Sequence, residues 1–282
     1  MRFVKILAAS AMVSCAFGAT PVEHAAAAIR GLGGTCALEA DTFAVCSLFS
    51  PVLGREADFA VHVSPQAPAE GRSLVVLLHG AGRDHKTLLS KDVTAAAIRS
   101  ARPVILFPNG KASWWLDSDY GRYQSYVIEL MARLAGPLHL SSDPHHRAVA
   151  GWSMGGFGSL LLIEQHPELF GAWAGLLALA DFPNPVYPPE QNHSVPALFG
   201  PPERWPERNP LLHVEKLRGK GIWFATGAQA FDRAMNEALD RRLTELQIPH
   251  QMQVVPGGHE FNVVAGRLPA MLDFLSKSDR RR

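Results

Sequence analysis

Ser153 stands in Gly151-Trp152-Ser153-Met154-Gly155-Gly156, a G-x-S-x-G pattern. The apolar run Arg147-Ala148-Val149-Ala150 before it reads as a strand, and Phe157 to His166 after it reads as a helix stopped by Pro167. A plain glycine-rich turn between strand and helix could carry the same letters. A serine on a sharp strand-to-helix turn, however, has its hydroxyl lifted above the sheet, and its crowded backbone needs Gly or another small residue on either side. The helix that follows aims its free N–H groups and positive dipole end at the same point. The chemistry this suggests is nucleophilic attack by the Ser153 hydroxyl.

A serine nucleophile needs a base, and the base needs an orienting acid. Twelve histidines are available. His259 stands out because Gly257-Gly258-His259-Glu260-Phe261 directly follows an apolar run, and open α/β sheets place active groups in loops at the carboxyl ends of strands. The two glycines let the backbone turn sharply, so the imidazole can reach back toward Ser153. Negative charge developing on an attacked carbonyl oxygen needs N–H donors. His79-Gly80-Ala81-Gly82 follows the run Leu74 to Leu78, which makes the backbone N–H groups of Ala81 and Met154 the expected pair. His79 reads as a brace for that loop rather than a reacting group.

These residues must be held by a scaffold, and the chain alternates strands with helices. Phe43 to Phe49 and Asp58 to Val63 read as strands. Leu74 to Leu78, Val104 to Phe107, Ile222 to Ala225 and Gln251 to Val255 read as strands covered on both faces. Helix-like stretches lie at Leu88 to Ser100, Tyr123 to Leu134, Phe157 to Gln165 and Arg233 to Leu246. The pattern predicts an α/β fold with a mostly parallel central sheet and helices on both faces. Asp181 to His213 carries nine prolines with scattered aromatics, a lid-like insertion or a rigid surface connection.

At 282 residues, 47% hydrophobic and net charge +1, the chain suits one sizeable domain and has no electrostatic footprint for nucleic acid. Arg2 and Lys5 followed by the apolar run Ile6 to Phe17 read as an export signal too short for a stable membrane span, with Ala16-Phe17-Gly18 as a cleavage site. A lipoprotein anchored at Cys15 is the lesser alternative. The expected organisation is a signal peptide at 1–18, a flexible segment at 19–35, a catalytic domain at 36–276 and a basic tail at 277–282. Signal removal would leave Cys36 and Cys46, an even count that predicts a disulfide in a secreted or periplasmic protein.

From about Ser47 to Phe274 the chain resembles the esterase D group of α/β-hydrolases, which includes S-formylglutathione hydrolases, tributyrin-type and feruloyl esterases, and mycolyltransferases. The resemblance rests on Ser50 to Arg55 with Phe59 to Val63, on Leu77-Leu78-His79-Gly80, and on Phe107-Pro108-Asn109-Gly110 with Ser113 to Ser118. It rests further on Gly151 to Gly158 and on Gly257 to Phe261. It implies an α/β-hydrolase fold and an exported serine esterase that needs no cofactor or metal and acts on a small-molecule or carbohydrate-linked ester. Trp114, Trp115 and Asp117 would line its acyl or alcohol pocket, although paired tryptophans also serve as packing.

One departure concerns the acid. The family position falls on Ala230, and the nearest carboxylate is Asp232. Ser153, Asp232 and His259 run in the α/β-hydrolase order. Asp232 also suits the N-cap of the helix from Arg233, and Asp181 and Glu260 are the alternative acids. Two other functions stay open: an acyltransferase to sugar hydroxyls on the same triad, and a non-catalytic carbohydrate- or envelope-binding protein on a hydrolase scaffold.

Overall fold

The computed structural model describes residues 18–186 and 195–278. The expected signal up to residue 17, with Cys15, lies outside the described residues, as does the Arg280-Arg281-Arg282 tail.

The chain opens with helix α1 (Pro21–Gly31) and three strands, β1 (Thr35–Ala40), β2 (Phe43–Ser50) and β3 (Arg55–His62), each antiparallel to the next. Then come β4 (Leu74–Leu78), α2 (Asp92–Arg99), β5 (Val104–Pro108), a small ribbon of β6 (Asp117–Ser118) and β7 (Gly121–Arg122), and α3 (Tyr123–Ala135). β8 (Arg147–Trp152) leads into α4 (Met154–Gln165), followed by β9 (Ala172–Leu176), the short α5 (Trp205–Arg208), β10 (Gly221–Gly227), α6 (Arg233–Glu245), β11 (Gln251–Val255) and α7 (Phe261–Ser278). Nine strands form one sheet in the order β1-β2-β3-β5-β4-β8-β9-β10-β11, parallel from β5 onward.

Helices cover both faces. All five residues of β4 are buried. Leu74, Val76 and Leu78 face a core shared with α1, α3, α4 and α6, while Val75 and Leu77 face a second core shared with α2 and α7. This division explains a continuous apolar run: a central strand with a helical layer on each side has no polar face. β11 departs from that reading. It is the sheet edge, with Val254 45% exposed, and its two glutamines interrupt the apolar run.

The segment 19–35, expected to be flexible, carries α1 and the first residue of β1. Thr20 and Glu23 form a capping box at the start of α1, with the Thr20 N–H donating to Glu23 Oε2 at 2.6 Å. Val22, Ala25, Ala26 and Ile29 are buried against β1 and β2. Ala25 to Ala28 supplies the strongest helix former available. The expected tail is likewise partly structured, because α7 runs on to Ser278 on the buried stripe Leu268, Met271, Leu272 and Leu275. Cys36 and Cys46 lie opposite each other on β1 and β2 and are joined in a disulfide.

In the described parts of the proline-rich stretch the chain runs as short 3-10 turns and the one-turn α5, with Phe182 and Phe199 fully buried. Its middle, residues 187–194 and with them Tyr187, Pro188 and Pro189, lies outside the described residues.

Candidate active site

Four loops meet at the carboxyl ends of β4, β8, β10 and β11. The turn after β8 is the tightest. Ser153 adopts φ 53 and ψ −121, a left-handed backbone that non-glycine residues rarely accept. The surroundings over-determine it. The Ser153 N–H donates to the Leu176 carbonyl at 3.0 Å. A Cβ at Gly155 would run into the carbonyl of Leu78, and one at Gly151 into that of Gly155, so α4 approaches β4 backbone to backbone. Both glycines of the pattern are required by this contact.

Ser153 Oγ lies 2.8 Å from His259 Nε2, and His259 Nδ1 lies 2.6 Å from Asp232 Oδ1. A carboxylate can only accept, so Nδ1 carries the imidazole proton and Nε2 is free to accept from the Ser153 hydroxyl. Asp232 is fully buried. Its other oxygen accepts from Thr226 Oγ1 at 2.6 Å and from Asn236 Nδ2 at 2.9 Å. The Phe231 ring stacks on the imidazole with centroids 4.3 Å apart. Such a relay can take a proton from the serine as it attacks and return it to a leaving group.

The acid's departure from the expected position has a local cause. Ala230 faces the core at 7% exposure, its N–H donating to Gly227 at 3.1 Å, and the chain needs two more residues to bring a carboxylate to His259. Gln229 ties this loop to the histidine turn, its N–H donating to the Gly257 carbonyl and its side chain accepting from the Gly257 N–H, each at 2.9 Å. Asp232 occupies the N-cap position of α6, but its side chain makes no capping hydrogen bond. The two alternative acids are engaged elsewhere: Asp181 accepts from Asn209 and Asn184, and Glu260 from the Gly258 N–H.

Ala81 and Ser153 both line a cleft of about 130 Å³, with Gly80, Arg83, Trp152, Leu177, His259, Glu260, Phe261 and Val264. Met154 is the first residue of α4, so its N–H has no intrahelical acceptor. His79 braces the loop before Ala81. Its Nδ1–H donates to the Gly80 carbonyl at 2.9 Å and its Nε2 accepts from the Gly110 N–H at 2.9 Å. Burial brings its pKa down to about 4, so the ring is neutral at neutral pH.

The three expected pocket residues are not among those lining this cleft. Trp115 is 1% exposed, wedged against Gly110 and Gly158, with Nε1 donating to the His79 carbonyl at 3.1 Å. Trp114 stacks on Phe182 beside Phe157 and Phe199. Asp117 accepts from the Ser125 N–H at 3.0 Å and from its hydroxyl. The loop that carries the two tryptophans packs against His79 and α4. Thr226, Phe231 and Arg83 were not singled out in the sequence. For Thr226 the available signal was a hydroxyl at the end of a buried strand, six residues before the candidate acid.

The chain matches the Esterase family model, described as "Putative esterase", over residues 50–275. The chain belongs to the Esterase family. Among curated relatives of this family member, "Esterase Rv1288" of Mycobacterium tuberculosis is 25% identical over 222 residues, covering 67% of this chain and 48% of the relative. The chain spans about half the length of the curated relatives it matches. Among solved structures, a ferulic acid esterase superposes with TM-score 0.71 at 22% identity, covering 84% of this chain and 98% of that one. An S-formylglutathione hydrolase from Agrobacterium tumefaciens gives TM-score 0.70 at 20% identity, covering 83% and 94%. The fold shared with these structures is that of an α/β-hydrolase, as the Esterase family resemblance implied.

Proposed function

We propose that this protein is an exported serine esterase that hydrolyses carboxylic esters through an acyl-enzyme. The observation that carries this reading is the unbroken relay from Ser153 Oγ through His259 to Asp232, at 2.8 and 2.6 Å. In the proposed reaction His259 Nε2 takes the Ser153 proton as Oγ attacks the ester carbonyl. The Ala81 and Met154 N–H groups hold the oxyanion, and the leaving alcohol departs with the proton from His259. Water, activated by the same imidazole, then releases the acid. Asp232 keeps the proton on Nδ1 and stabilises the imidazolium. Family membership supports ester hydrolysis in general, and the structural likeness to a ferulic acid esterase and an S-formylglutathione hydrolase suggests a ferulate ester and S-formylglutathione as probes.

The cleft is small, and Leu177, Phe261 and Val264 give it an apolar wall. Export rests on the leader sequence and on the Cys36–Cys46 disulfide, which belongs to an oxidising compartment.

The test is a panel of nitrophenyl esters of rising chain length, with methyl ferulate, assayed with the wild-type protein and Ser153→Ala. Hydrolysis of at least one of these esters that falls by several orders of magnitude in the variant is expected. Ser153→Ala activity within about tenfold of wild type would remove the assignment.

A further inference from the structure

We propose that Thr226 and Asn236 are positioning residues for the relay, acting as a two-donor clamp that fixes the Asp232 carboxylate. The proposal rests on the triad reading above. Thr226 closes β10 next to Gly227, and Asn236 sits one turn into α6, so the two reach Asp232 from different elements. Both donate to Oδ2, at 2.6 and 2.9 Å, which leaves Oδ1 to His259 Nδ1 at 2.6 Å. All three side chains are completely buried. Asp232 is fully buried, and a buried carboxylate short of donors is costly. With Oδ2 held from two directions the carboxylate cannot rotate about its Cβ–Cγ bond without breaking both bonds. Oδ1 therefore stays aimed at the imidazole through the reaction.

The clamp also reaches the nucleophile. Asn236 Nδ2 lies 2.8 Å from the Ala178 carbonyl oxygen, and Ala178 packs against the elbow: a Cβ at Gly156 would come within 2.8 Å of Ala178 Cα. One amide thus registers the acid loop against the turn that carries Ser153. Asp232 gives up helix capping in this geometry, since its carboxylate makes no bond to the first N–H groups of α6. A residue placed for folding alone would cap.

Thr226 gives the cleanest test, because Thr226→Val keeps shape and burial while removing the hydroxyl, and Thr226→Ser keeps the hydroxyl while removing the methyl. With a short-chain nitrophenyl ester, Thr226→Val should lower kcat by roughly 10- to 100-fold, the loss expected for one hydrogen bond to a charged group. KM should stay within about twofold and Thr226→Ser within about threefold of wild type. Asn236→Ala should lower kcat further; where that variant does not fold, the Thr226 pair decides. The proposal falls if Thr226→Val keeps kcat within about threefold of wild type, if its loss lies in KM, or if Thr226→Ser falls as far as Thr226→Val. A wild-type protein inactive on every ester would remove the esterase reading and the clamp with it, whereas an active enzyme indifferent to Thr226→Val would remove the clamp alone.

Discussion

Ser153 and Asp232 occupy matching places. Each follows a parallel strand, stands at the N-cap of the next helix, and belongs to a residue type that caps well. Neither side chain caps its helix; both point to His259. A cap is worth on the order of 1 kcal/mol, so each position forgoes a similar amount of stability to present its oxygen. The way the two are held differs. Ser153 is fixed by backbone: a left-handed φ, the bond to Leu176, and glycines pressed against Leu78. Asp232 has ordinary helical φ and ψ and is fixed by side chains, Thr226 and Asn236. A backbone-held group cannot be altered without moving the sheet, whereas a side-chain-held group can be retuned one hydrogen bond at a time.

The difference makes the two halves respond oppositely to substitution. On the backbone side, Gly155→Ala puts a methyl into the Leu78 carbonyl, and neither backbone can yield cheaply. We expect an insoluble or strongly destabilised protein with no measurable activity, read by circular dichroism melting. A folded, active Gly155→Ala would show that the turn is looser than described. On the side-chain side, Asp232→Asn should melt close to wild type yet lose about 10⁴ in kcat, because the amide favours the wrong imidazole tautomer. Retained activity, with loss in Asp181→Asn or Glu260→Gln instead, would reassign the acid.

His79 belongs to both classes, a side chain that fixes a backbone loop. An unfolded histidine takes up a proton below about pH 6.5, while burial keeps the folded ring neutral down to about 4. The unfolded state therefore binds more protons in that window, and stability falls as pH drops through it. The contribution is roughly 2 kcal/mol between pH 7 and 4.5, which His79→Gln should remove from the acid slope of urea denaturation curves. An unchanged slope would mean that His79 does not titrate differently on folding. The disulfide, away from both halves, sharpens the contrast by leaving chemistry alone. It closes a separation of ten residues, so replacing both cysteines with serine should cost about 2–3 kcal/mol of stability with kcat unaltered.

The same contrast explains what was legible in the sequence. Backbone demands leave letters behind. Gly151, Gly155 and Gly156 around Ser153, and Gly257 before His259, announce their turns because other residues do not fit. Strands covered on both faces announce themselves as unbroken apolar runs, as in β4 and β5. Side-chain holding leaves no such mark. Thr226 and Asn236 stand six before and four after Asp232, and their convergence on one oxygen appears only in three dimensions. β9 is hard to read because Ala172, Ala174 and Gly175 break the apolar run around Trp173, while α4 and α7 pack against the strand. α7 was hidden by Gly266 and Pro269 within it. α1 is hard to read because Ala25 to Ala28 shows no polar–apolar alternation, although the helix spaces four buried residues along one face.

The central claim is that Ser153 is an activated nucleophile driven by His259. The most direct measurement is reaction of the purified protein with a fluorophosphonate, followed by mass spectrometry of the intact chain and its peptides. One adduct per chain, on the Ser153 peptide and absent from both Ser153→Ala and His259→Ala, is the predicted result. An unmodified wild-type protein, or an adduct that persists in Ser153→Ala, would contradict it.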